Sequence, residues 1–103
     1  MRVIAIKTLR EFWTKHPDSE VSLRAWYDGV TQCKKWENPH DVLDTFNSAD
    51  PLKNNRVVFN IAHNKYRLVV KVEYTLGLIY VCFIGTHREY EKIDAENVKW
   101  NIR

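Results

Sequence analysis

One hundred and three residues, 45% hydrophobic and 13% aromatic, supply one core and leave no room for a second domain. Sixteen Lys and Arg against 13 Asp and Glu give a formal charge of +3, a mild basic bias that permits a nucleic-acid partner without demanding one. Cys33 and Cys82 form no Cys-x-x-Cys pair and join no His/Cys cluster, which argues against a disulfide framework and a zinc site and fits a reducing cytoplasm; no run approaches the roughly 20 apolar residues of a membrane span.

Val3 to Ile6 is a short apolar run suited to a strand, and charge interrupts it too soon for the core of a secretory signal. Thr8 and Glu11 have capping-box spacing, which predicts a helix from there to about His16. Pro17 stops that helix, and Asp18 and Ser19 offer side-chain acceptors to cap the next. Leu23, Trp26, Tyr27 and Val30 then recur at the spacing of one apolar helical stripe, which needs a sheet to bury against. Trp36 to Asn55, with Pro39 and Pro51, reads as a connector packed by Val42, Leu43 and Phe46, with a turn or two of helix over residues 41–46.

From Arg56 the period changes to two, with Val57, Phe59 and Ile61 on one face and Arg56, Val58, Asn60 and Ala62 on the other. His63-Asn64 reads as a tight hairpin turn. In the next strand Tyr66, Leu68, Val70, Val72 and Tyr74 share a face, so Lys65, Arg67, Val69, Lys71 and Glu73 share the opposite one. A turn at Leu76-Gly77 leads to a strand from Leu78 to Ile84, apolar enough to be central, and a short helix starts at Thr86. The order implies an α+β fold: an antiparallel-dominated twisted sheet with two N-terminal helices on one face and a short C-terminal helix. Residues 1–98 form the expected domain and 99–103 a tail.

With His63 and Asn64 as the loop, Asn60 lies opposite Arg67, Val58 opposite Val69 and Arg56 opposite Lys71. The bare sheet face would thus carry Arg56, Asn60, Arg67 and Lys71. Thr86-His87-Arg88-Glu89 also has capping-box form, which puts His87 in the first helical turn just past the strand that pairs with Lys65 and Arg67. Open backbone N–H groups at that helix end would bind phosphate, and its dipole would favour a neutral His87 imidazole able to accept a proton. Lys65, Arg67, Lys71, His87 and Tyr90 would then converge on one phosphate-sized catalytic site, with Arg56, Asn60, Arg88 and Lys92 as RNA contacts. Such a set can cut RNA without a metal or cofactor, because the nucleophile, a 2′-hydroxyl, is already in the substrate. Arg67 matches phosphate oxygens by its planar fork, and a lysine among cations can join the proton transfers. The plainer alternative is that the strand cations are only solvated and that His87 and Tyr90 are ordinary surface and core residues.

The segments NNRVVFNI (Asn54 to Ile61), NKYRLVVKVEY (Asn64 to Tyr74) and FIGTHREYEKIDAENV (Phe83 to Val98) resemble the C-terminal half of HigB-type mRNA interferases, and LREFWTKHPDSE with LRAWYDGV resembles their two N-terminal helices. The resemblance implies a RelE-like toxin of a type II toxin–antitoxin system: a cytoplasmic endoribonuclease that cuts translated mRNA on the ribosome without a metal. It also implies neutralisation by a HigA-type helix-turn-helix antitoxin, with DNA reached only through that antitoxin and no membrane partner. The family's basic strand and C-terminal His/Tyr segment map to Lys65, Arg67, Lys71, His87 and Tyr90, with His87 as base or acid and Tyr90 or Lys65 complementary to it. His63 stands where relatives usually have Gly, and Cys82 where many carry a basic residue. The second departure removes a charge and leaves open a decayed module that only binds RNA or antitoxin.

Overall fold

A computed structural model describes residues 1–98, so the expected tail at 99–103 lies outside the described residues. In chain order the elements are β1 (Arg2–Ile4), α1 (Ile6–Lys15), a 3₁₀ turn (Pro17–Ser19), α2 (Glu20–Gln32), α3 (Pro39–Thr45), β2 (Asp50–Pro51), β3 (Arg56–Ile61), β4 (Tyr66–Glu73), β5 (Leu78–Thr86) and α4 (His87–Tyr90). The five strands form one sheet in the order β1-β5-β4-β3-β2, all neighbours antiparallel except the parallel pair β1 and β5. The α+β expectation therefore holds. β5 is interior, as its apolar sequence requires, but β4 is the middle strand.

The helix starts differ from the capping expectations. α1 begins at Ile6, and its cap is Ala5 in a left-handed conformation (φ 76°) whose carbonyl accepts from Thr8 N at 3.0 Å. Thr8 and Glu11 thus lie inside the helix, and Glu11 faces Lys7 instead. Neither Asp18 nor Ser19 caps α2: the Ser19 hydroxyl donates to His16 O at 2.7 Å, and the Asp18 carboxylate is taken by groups on β4. α3 is a true helix with Pro39 in its first turn and Asn38 accepting from Asp41 N.

The main core lies between the helices and one sheet face. Leu9, Leu23, Trp26, Val30, Trp36 and Val42 pack there on Val57, Phe59, Leu68, Val70, Val72, Ile79 and Val81. The apolar stripe of α2 is buried except for Tyr27, which is half-buried.

The expected hairpin register is the one found: Arg56 lies opposite Lys71, Val58 opposite Val69 and Asn60 opposite Arg67. His63 does not shift it. Ala62, His63 and Asn64 all adopt positive φ (54°, 55° and 70°), and Lys65 N closes the turn on Ala62 O at 3.1 Å.

A bulge interrupts β5, where Val70 pairs with Val81 and Val69 with Phe83, leaving Cys82 without an opposite residue. An inserted residue reverses the phase of all that follow it. Phe83 and Gly85 therefore leave the helix side for the second face.

That second face is not bare. Val58, Val69, Cys82 and Phe83 are overlaid by Tyr90, Ile93, Ala95 and Val98 from α4 and the segment after it, with Leu52 beside them. A small second core thus divides the face on which the cations were expected to lie together.

Candidate active site

The cations end up in two groups. Arg67 sits at the hairpin end of β4, opposite Asn60 on one side and Gly85 on the other. Its guanidinium folds back over the turn, Nη1 donating to Asn64 O at 2.8 Å and Tyr66 O at 3.2 Å. Two fixed carbonyls thus orient a half-buried fork. His87 is two residues past Gly85, and its backbone N–H donates to Lys65 O at 3.2 Å, so imidazole, ammonium and guanidinium sit on residues gathered at the same sheet end. The His87 side chain is 52% exposed. Asn60 and Arg88 are exposed at this end too.

Lys71 and Arg56 occupy the other end. Lys71 lies four positions beyond Arg67, about 13 Å along a strand, and buried Val69 stands between them. The Lys71 ammonium is 3.4 Å from Glu73 Oε1. Arg56, expected as an RNA contact, is buried beneath the C-terminal segment, where Nη1 donates to Val98 O and Nε has no partner among the described residues. Tyr90 packs into the second core, and Lys92 is exposed just past α4. The five residues expected to converge are thus distributed: Lys65, Arg67 and His87 lie at the hairpin end, Tyr90 packs into the second core, and Lys71 lies toward the other end of β4.

The α4 terminus also differs from expectation. The capping box is complete, Thr86 N donating to Glu89 Oε1 at 2.8 Å and Glu89 N to Thr86 Oγ1 at 3.1 Å. Hydrogen bonding of the Glu89 carboxylate to Thr86, first to its backbone N–H and then to its side chain, holds that carboxyl below its usual range. With His87 N also taken by Lys65 O, most first-turn donors are already satisfied, and one helical turn aligns too few peptides for a large dipole. Phosphate recognition at this end falls to side chains.

Three acidic or aromatic partners escaped sequence reading. Glu91 Oε1 lies 2.8 Å from His87 Nε2, an i,i+4 spacing that could have been noticed. Asp18 receives hydrogen bonds from the Lys65 ammonium and the Tyr66 hydroxyl, the latter at 2.6 Å, across 47 and 48 positions of sequence where no local signal exists. His16 stacks on Phe12 at 4.4 Å and tilts toward the Tyr66 ring at 5.4 Å.

The Lys65 and Tyr66 hydrogen bonds hold the Asp18 carboxyl below its ordinary 3.8. A carboxyl lowered in the folded state adds stability above its unfolded pKa and loses it as pH falls through the folded one. The Tm advantage of the natural chain over Asp18→Asn should therefore be level above about pH 5 and shrink steadily below about pH 4 in acid melts. An advantage independent of pH would mean that the carboxylate charge contributes nothing.

Gly85 is required by space. A Cβ there would stand 2.6 Å from the Phe83 ring and 3.0 Å from Glu89 Oε1. Gly85→Ala should push the ring out of the second core and disturb the capping box that fixes His87, costing about 1–3 kcal/mol in denaturant unfolding. An unchanged midpoint would show that both neighbours yield freely.

Cys33 and Cys82 are both free, and burial pushes the Cys82 thiol up against the opposing pull of Arg56 and Lys71. Among the described residues no three His, Cys, Asp or Glu side chains gather as a metal would need, and no helix is long and apolar enough to cross a membrane.

No curated protein sequence matches the chain well enough to serve as a relative. The family model HigB_toxin, described as the RelE-like toxic component of a toxin-antitoxin system, matches residues 19–93, which takes in α2, all of β2 to β5 and α4. That stretch holds Lys65, Arg67 and His87 on the mixed sheet just described, and a toxic component of this kind implies an antitoxin partner. The chain therefore belongs to the HigB toxin family of RelE-like toxins.

Proposed function

We propose that this toxin is an endoribonuclease that cuts mRNA on the ribosome by attack of a 2′-hydroxyl on the adjacent phosphodiester, without a metal or cofactor. One observation carries the reading. The pairing of Arg67 with Gly85, together with the hydrogen bond from His87 N to Lys65 O, supports it by bringing residues that bear a guanidinium, an imidazole and an ammonium to one end of the sheet. The guanidinium balances charge growing on the phosphoryl oxygens, and the imidazole carries a proton to or from the reacting oxygens. Lys65 adds positive charge at the rim, with Asp18 holding it in place. Asn60, Arg88 and Lys92 lie where they can meet the RNA strand, while the buried Arg56 acts as a strut for the C-terminal segment. The partner that silences this chemistry is a HigA-type helix-turn-helix antitoxin.

The alternative, a module that only docks on RNA or antitoxin, draws support from the carboxylates of Asp18 and Glu91, which already face Lys65 and His87. The two readings part in one experiment: expression of the chain with and without its antitoxin, followed by mapping of mRNA 5′ ends. Growth arrest with new ends inside translated frames, suppressed by the antitoxin, is the expected result. Arrest with an unchanged map of ends would overturn the nuclease reading and leave the docking module.

A further inference from the structure

Among the described residues, the last part of β3 has no strand on its outer side. β2 pairs only with Val57 and Val58, so the sheet's outer edge is open from Phe59 to Ile61 among the described residues. At the other end of β3, Asn55 O accepts from Val72 N at 2.8 Å on the β4 side. Backbone groups alternate in direction along an antiparallel strand. Val57, Phe59 and Ile61 therefore bond toward β4, and the N–H and C=O of Asn60 point outward from an exposed residue.

Beside this edge, on the helix-covered side, a cavity of about 240 Å³ opens among Ala25, Trp26, Phe46 and Phe59. Ala25 is exposed at its rim. The Trp26 ring forms part of the wall, and its indole Nε1 is buried behind it with no hydrogen-bond partner among the described residues. Buried donors are seldom left so, and each such exception calls for a cause.

An outward-facing backbone N–H and C=O pair is matched by one kind of ligand, another polypeptide in extended form. Side chains alternate along such a strand, and Asn60 belongs to the second face. A residue laid opposite it also points to that face, so its neighbour in the added strand points to the helix side, into the cavity. Family membership supplies a protein partner of the required kind.

We propose that the free edge at Asn60 and the Trp26 cavity together form a docking site for an extended segment of the antitoxin. That segment adds a strand beside β3 and lodges one large apolar side chain against Trp26, Phe46 and Phe59. The inference rests on the family's implied antitoxin and is independent of whether the chain cuts RNA.

The test uses the full chain and the full-length antitoxin that copurifies with it. Asn60→Pro removes the outward N–H while leaving the β4 ladder intact, and Ala25→Arg fills the cavity mouth from an exposed helix position. Each should raise the antitoxin Kd about tenfold or more, with the Tm of the free chain little changed. In the natural chain, hydrogen exchange at the Asn60 amide should be fast alone and slow in the complex. If Asn60→Pro does not fold, Ala25→Arg and the exchange rate decide. Antitoxin binding within twofold of normal for Ala25→Arg, together with an Asn60 amide that exchanges equally fast in the complex, would overturn the proposal. So would a concentration-dependent dimer of the free chain that protects the same amide, which would assign the edge to a second copy.

Discussion

Arg67→Ala should lower the rate of mRNA cleavage by about 10²–10³-fold, the loss usual for removing a fixed donor to a developing oxyanion. His87→Ala should lower it by about 10²–10⁴-fold, the range for a positioned proton carrier. Neither side chain is part of a buried core, so circular dichroism and Tm should stay near those of the natural chain. Arg67→Lys should recover little, because one ammonium cannot both hold the Asn64 and Tyr66 carbonyls and present a planar fork to phosphate. Lys71→Ala is the informative control. Some 13 Å of strand and a buried valine separate it from the hairpin end, so its rate should fall only a few-fold; primer extension on a translated message measures all four variants. A Lys71→Ala loss equal to that of Arg67→Ala would mean that the substrate reaches across the second core and that the reacting groups are misassigned.

The largest stability effect belongs to the helix-covered side. Leu68 and Val69 are neighbours on β4, both fully buried, yet Leu68 faces the main core and Val69 the small cluster under the C-terminal segment. Leu68→Ala should cost about 2–5 kcal/mol, since it removes three carbons from a layer with rigid elements on both sides. That is a large part of the roughly 5–15 kcal/mol holding a typical domain together. Val69→Ala should cost about half as much or less, because fewer atoms are lost and the overlying segment can settle onto the gap. Denaturant melts compare the two directly. Equal costs would show that the second core is as stiff as the first.

Much of this arrangement was legible in the sequence where interactions are local. Alternation along residues 56–73 fixed the faces of β3 and β4, and the two-residue loop at His63-Asn64 fixed their register despite a side chain ill suited to positive φ. The Thr86 to Glu89 capping box was likewise readable from four adjacent letters. Contacts between distant segments were not. β2 is two residues long and carries Pro51, so it has no periodicity to detect. The bulge at Cys82 leaves no mark in an apolar run, since either phase reads as buried. Asp18 looked like a helix cap because its role as acceptor for Lys65 and Tyr66 depends on where the α1–α2 corner lands. Arg56 looked like a surface cation because nothing in its own strand reveals that the segment at Val98 folds over it. The position of Asn60 and Arg67 at the hairpin end follows from register, whereas the burial of Arg56 does not, because the cover over the sheet leaves no mark in its own strand.

The parallel pairing of Arg2, Val3 and Ile4 with Leu78, Ile79 and Tyr80 has a consequence for timing. A peptide emerging from the ribosome presents the earlier strand long before its mate exists, and His87 is made later still. During vectorial synthesis the sheet therefore cannot close until β5 has been made, and the group proposed at the hairpin end is assembled only after that. That delay leaves an interval in which an antitoxin made earlier can meet the chain before its sheet is complete.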